Sequence, residues 1–168
     1  RLISVVFIPS VPGYVYAVKG KDVYVNLFIA NNATLQVNGK KVTLSQTTSY
    51  PWNGGYYTGS RPNSAGQFAI KIRIPGWVRN QVVPSDLYTY TDGVRPKYSV
   101  KVNGEEVTSD LQKGYLTIDR KWKKGDKVEV HFDMNVRTVR ANGKVEADRG
   151  RGSVERGPIV YCAEWPGQ

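Results

Sequence analysis

The stretch QFAIKIRIPGW, Gln67 to Trp77, decides the fold. Phe68, Ile70, Ile72 and Ile74 alternate with Ala69, Lys71 and Arg73, so an extended chain here has one apolar face and one face carrying two cations. That is the pattern of a half-buried strand. Pro75 ends it by removing a ladder donor, Gly76 lets the chain turn, and Trp77 supplies a large apolar plug for one end of a core. A strand that is dry on one side needs a second layer. No stretch has helical periodicity at sufficient length to provide it, so the covering layer must be more sheet. The expectation is an all-β chain, an antiparallel β-sandwich, with two packed sub-sandwiches as the variant.

Working outward, short-range turn chemistry places the neighbouring strands. Tyr14 to Val18 and Asp22 to Ile29 are β-rich runs around Lys19-Gly20-Lys21-Asp22, and Asn38-Gly39 sits between the alternating halves of LQVNGKKVTL. Both residues of an Asn-Gly pair tolerate positive φ, which a tight hairpin requires. YSVKVNGEEVT repeats that grammar at Asn103-Gly104. Further on, Tyr115 to Ile118 reads as a strand, RKWKK as a hairpin connection with solvated lysines, and Lys127 to Phe132 as a strand. In that last strand Val128, Val130 and Phe132 point inward, and Lys127, Glu129 and His131 outward. Tyr56 to Gly66 and Val78 to Lys97 read as loops, the second long enough to mark a sub-domain boundary near 77–97. Gly157 to Ala163 is a continuous apolar run, typical of a strand buried on both faces. Residues 1–13 read as a connector and 14–168 as the β-sandwich region.

At 168 residues the chain can bury a stable core without staples. Its single cysteine, Cys162, lies in the apolar run and is expected to be a buried small hydrophobe. The net charge of +10 invites nucleic acid as a partner, but up to Tyr90 the only acids are Asp22 and Asp86, so the excess reflects missing carboxylates rather than clustered cations. Without a focused basic patch or a reading helix, nucleic-acid binding is not expected. No apolar run approaches a membrane span, and the first residues lack the segments of a secretory signal. Any leader would lie upstream.

Candidate chemistry is sparse. His131, the sole histidine, lies between Glu129 and Asp133 on a predicted wet face with no serine or cysteine beside it. One histidine and one cysteine cannot assemble the usual zinc sets, and no loop is dense enough in acids for calcium, so no metal site and no catalytic residue are assigned. Two carboxylates alone can hydrolyse a glycoside, but Asp148, Glu155 and Glu164 stand near Arg149, Arg151 and Arg156 and read as structural ion pairs. The sharper option is aromatic. Trp52, Tyr56 and Tyr57, with Tyr88 and Tyr90, could stack on sugar rings, although Trp52 and Trp77 read first as core plugs.

Taken in order, VPGYVYAV, VYVNLF, TSYPWNG, IRIPGW, GYLTIDRKWKKGDKVEV and VERGPIVYCAE resemble the non-catalytic β region of glycoside hydrolase family 127, which includes β-L-arabinofuranosidases. The resemblance covers nearly the whole chain. It implies a preceding (α/α) barrel in which a zinc-bound cysteine is the nucleophile and a glutamate the acid/base, with β-sandwich domains packed on it. The family's Cys-Cys-Pro segment shortly before Phe7-Ile8-Pro9-Ser10 is absent here, so no catalytic residue carries over and zinc would belong to the barrel. Tyr56 to Gly66 also lacks the alternating strand that follows Tyr-Pro-Trp in the family. The chain is accordingly expected to be a fragment: an accessory region of a glycosidase acting on arabinofuranose-containing plant-type glycans. Its expected partner is the missing barrel, with an oligosaccharide and a second copy as further candidates. A self-sufficient carbohydrate-binding module is the alternative.

Overall fold

Strand β6 (Gly66–Arg73) is the centre of a four-stranded sheet ordered β1-β2-β6-β10 in the computed structural model, which describes residues 9–52, 57–59 and 66–162. β1 (Tyr16–Lys19) and β2 (Asp22–Val25) form the first hairpin, preceded by a single helical turn, α1 (Pro12–Val15). β2 runs parallel to β6, placing Val23 beside Ile70 and Val25 beside Ile72. β10 (Tyr115–Trp122) runs antiparallel on the other side, placing Ile118 beside Ile70 and Leu116 beside Ile72. Residues opposite one another share a face, so these apolar side chains make one continuous dry surface.

The second layer is a six-stranded sheet ordered β3-β4-β5-β11-β8-β9. It comprises β3 (Asn31–Val37), β4 (Lys40–Thr48), β5 (Tyr57–Gly59), β8 (Tyr98–Val102), β9 (Glu105–Glu106) and β11 (Val128–Phe132). Val42, Leu44, Val100, Val102, Val128, Val130 and Phe132 meet the first sheet in one buried cluster with Phe68, Ile70 and Ile72. Burying each such side chain contributes about 1.5–3 kcal/mol. Asn38 and Asn103 both adopt positive φ before Gly39 and Gly104, as the two hairpins demand. Trp77 plugs the core edge-on to Phe132. The fold is the expected all-β sandwich.

A third sheet, β14-β13-β12-β7, is formed by β7 (Tyr88–Tyr90), β12 (Val136–Ala141), β13 (Gly152–Arg156) and β14 (Ile159–Tyr161). Residues 77–87 carry the chain from the first sheet to β7, through a 3-10 turn at Trp77–Arg79, and residues 91–97 return it to β8 of the second sheet.

Several local expectations are corrected. The lysines of RKWKK are exposed, as expected, but the connection begins only after Trp122: β10 runs through that residue, which is fully buried and donates from Nε1 to the Phe68 carbonyl at 2.9 Å. A lone aromatic among cations is invisible as a core position unless the strand's register is known. Tyr57–Gly59 is a strand, bridging β4 and β11, and Tyr88–Tyr90 is a strand rather than part of a loop. Trp52 is no core plug, being 76% exposed in the turn after β4. β14 is not buried on both faces: as the edge strand of the third sheet it leaves Val160 61% exposed, and Cys162 is exposed as well. A continuous apolar run signals two covered faces only when both layers are present in the same chain.

Candidate functional site

Where the third sheet meets the end of the sandwich, the buried group is a guanidinium. β12 alternates so that Arg137 and Val139 share its inner face, and each is 3% exposed. Nη2 of Arg137 donates to Asp92 Oδ1 at 2.8 Å and to Asn80 Oδ1 at 2.9 Å, while Nε donates to both Asp92 oxygens at 3.2 Å. Its plane lies 3.6 Å from the centroid of the Tyr90 ring. Asp92 also accepts the amides of Val94 and Thr138, and with the Arg137 bonds leading, its carboxyl is held down to about 2. Asn80 presents its amide from a left-handed backbone position (φ 62°) directly after the 3-10 turn. That turn needs Gly76: a Cβ there would stand 2.9 Å from the Gln81 carbonyl.

The tyrosines of β7 are committed to this joint. Tyr90 donates to Glu155 Oε2 at 3.0 Å and Tyr88 to Asp148 Oδ2 at 2.8 Å. Burial first, then the neighbouring Glu155 carboxylate, raises the Tyr90 phenol above its ordinary range. Tyr88 is raised by its bond to Asp148. Asp148 and Glu155 are therefore not the arginine-paired ions expected from their neighbours in sequence: Glu155, on β13, and Asp148, in the 3-10 turn before it, each accept from a tyrosine of the distant β7. Arg156 instead donates to the Trp52 carbonyl at 3.3 Å.

Beside this joint opens a cleft of about 550 Å³. Phe28, Tyr50 and Trp77 form its apolar wall on the sandwich side, and Pro158 and Val160 its wall on the third sheet. Arg73, Arg79 and Glu155 are its charged groups. Arg79 is anchored by a 3.1 Å bond from Nε to the Ile74 carbonyl. Arg73 is exposed and makes no ion pair or hydrogen bond among the described residues. The chain enters at the rim: the Val15 carbonyl accepts the Asn26 amide at 2.9 Å, and Asn26 lines the cleft.

Of the sugar-contact candidates, the structure brings Tyr88 and Tyr90 together on β7, with their hydroxyls already bonded, and leaves Trp52 exposed two residues beyond the cleft-lining Tyr50. Tyr57 contributes backbone to β5; its side chain and the whole of Tyr56 lie outside the described residues. His131 sits on the outer face of β11, 3.3 Å from Asp133, with its side chain 44% exposed. No group of three or more His, Cys, Asp or Glu among the described residues could hold a metal ion. The Arg137 joint and the cleft went unread in the sequence, since VRTVRA places one arginine on each face of a strand and so does not mark which face is buried. The one available signal was Asp92, an acid at a turn in a carboxylate-poor region.

Residues 22–134 match the family profile described as beta-L-arabinofuranosidase, GH127 middle domain. The chain belongs to glycoside hydrolase family 127. The family's C-terminal domain profile matches residues 136–168, so the GH127 division falls between the sandwich and β12. A non-reducing end beta-L-arabinofuranosidase of Bifidobacterium longum is 36% identical over 94% of this chain. Among solved structures, a GH127 beta-arabinofuranosidase superposes over 95% of this chain with a TM-score of 0.91 at 61% identity. Another, from Geobacillus stearothermophilus T6 and described as a GH127 beta-L-arabinofuranosidase, covers 91% with a TM-score of 0.75 at 33% identity. This GH127 chain spans 22% of the Bifidobacterium protein and 25% and 22% of the two solved chains.

Proposed function

We propose that this chain is the accessory β region of a glycosidase acting on arabinofuranose-containing, plant-type glycans, and that it supports a catalytic (α/α) barrel preceding it. The observation that carries the reading is the consecutive match to middle and C-terminal domains within relatives four to five times longer. The described residues support it chemically. Retaining hydrolysis needs a nucleophile and an acid/base poised on one bond, whereas Asp148 and Glu155 here are each engaged by a tyrosine hydroxyl, and Cys162 lies at the end of an edge strand. The barrel, with its zinc, would supply the chemistry.

The test is an assay of the isolated chain and of the full-length gene product on an aryl β-L-arabinofuranoside, with zinc and reductant present. Turnover is expected only from the full-length protein. Turnover by the isolated chain that disappears in Cys162→Ser would overturn the reading. A second function, sugar binding by the chain itself, is favoured by one observation, the 76% exposure of the Trp52 ring. Tyr56 and Tyr57 are its neighbours in sequence, and Tyr88 and Tyr90 the candidates on β7. Calorimetric titration with arabino-oligosaccharides is expected to give weak binding or none; tight binding lost in Trp52→Ala would rank the binding module first.

A further inference from the structure

We propose that the cleft between the sandwich and the third sheet is the seat of the upstream domain, and that Arg73 receives there a carboxylate carried on an apolar segment of that domain. The inference rests on the accessory reading above and names the surface through which it operates.

Four observations converge on this face. The cleft walls are apolar, built from Phe28, Tyr50, Trp77, Pro158 and Val160, with few charges between them. Exposed large apolar groups surround it: Val160 lines it at 61% exposure, Trp52 stands two residues from Tyr50 at 76%, and Tyr14 at 60% accepts a bond through its carbonyl from cleft-lining Asn26. Scattered exposed hydrophobics need no explanation, but several around one concave surface mark an interaction site. Arg73 is a cation on that surface whose side chain has no ion pair or hydrogen bond among the described residues, whereas the cleft's other charged groups are engaged: Arg79 by the Ile74 carbonyl and Glu155 by Tyr90. A planar guanidinium with no partner among the described residues, beside apolar walls, suits a carboxylate that arrives with apolar neighbours. Finally, α1 delivers the chain to the rim, since the Val15 and Tyr14 carbonyls accept bonds from Asn26, so the chain enters the sandwich at this surface.

The rival face is the outer side of the third sheet, where Val136, Val154 and Tyr161 are exposed. It lies across the sheet from the side that meets the sandwich. Arg140, exposed on that outer side, reports on it.

The experiment is arginine footprinting with phenylglyoxal, read by mass spectrometry, on the full-length gene product and on this chain alone. Arg73 should be reactive in the isolated chain and protected in the full-length protein, with Arg140 reactive in both. In the full-length protein, Arg73→Glu and Val160→Asp should each open the interface, raising labelling of Arg79 severalfold, while Val154→Asp leaves it unchanged. Protection of Arg140 with Arg73 open would move the seat to the outer sheet face, and equal reactivity of both in both proteins would remove it from either; each overturns the proposal. Protection of Arg73 in the isolated chain by an arabino-oligosaccharide would make the cleft a sugar site instead. Failure of the accessory reading is distinguishable, because it appears as turnover by the isolated chain whatever the footprint.

Discussion

Between β6 and β11 the facing side chains are Ile70, Ile72, Val128 and Val130, none more than 2% exposed; between β12 and the end of the sandwich a guanidinium, Arg137, is buried as deeply as Val139 beside it, each 3% exposed. The first contact is all area and no direction, and it is secured by the number of groups that leave water. The second is nearly all direction. One guanidinium ties Asn80, Asp92 and the Tyr90 ring into a fixed arrangement, and the phenol of Tyr90 extends it to Glu155. An apolar interface tolerates small slides, whereas a forked ion pair with a stacked ring accepts a single orientation. The joint therefore sets how the third sheet sits against the sandwich, and with it the shape of the cleft, while contributing little of the hydrophobic stabilisation.

Substitutions can break this contrast, beginning with the largest effect. Ile72→Asp places an unpaired carboxylate in the centre of the core, at a cost of several kcal/mol against a total stability of about 5–15 kcal/mol. Soluble folded protein should be lost, and a near-native cooperative melt would sink the core assignment. Arg137→Met strands Asp92 without its partner and should cost about 3 kcal/mol. Its signature is regional: hydrogen exchange should rise in β7, β12 and β13 while β6 and β11 stay protected. Uniform loss of protection would mean that the two regions unfold as one.

Acid sharpens the same contrast. Because Asp92 is held at about 2 in the folded state, the unfolded chain binds its proton more readily, and the joint's contribution is fully present above about pH 4 and lost as pH falls through 2. Asp126, lowered chiefly by the Lys123 amide, acts in the same direction at the β10–β11 corner, but there the apolar core remains. Exchange protection in the third sheet should therefore fall first between pH 4 and 2, and Asp92→Asn should flatten that dependence. The smallest effect is expected for Tyr90→Phe, which keeps the ring under Arg137 and removes one hydrogen bond, about 1 kcal/mol. A larger loss would place the strength of the joint in the hydroxyl rather than the stack.

How much of this was legible follows the same division. The sandwich is written in residues close together: alternation from Phe68 to Ile74, Asn-Gly pairs that need positive φ, and a Lys-Gly-Asp corner before Val128. The third sheet was misread at both ends. β7 reads as loop in sequence because three residues carry too little pattern, and β14 reads as a doubly covered strand because an apolar run does not reveal that it lies at a sheet edge with Val160 and Tyr161 exposed. For the candidate site, Tyr88 and Tyr90 were singled out for exposed rings, yet their hydroxyls meet carboxylates 60 and 65 residues away, a pairing no local pattern encodes.

The sequence by itself determined the all-β class, the hairpins and the inner faces of β6 and β11, because strand period and turn stereochemistry act over a few neighbouring residues. Only the tertiary structure decided that Trp122 is core, that Trp52 and Val160 are exposed, that Arg137 is buried, and that Arg73 lines a cleft with no ion partner among the described residues. Those outcomes depend on which strands become neighbours across the whole chain, and a side chain's burial or ion partner exists only once that pairing is made.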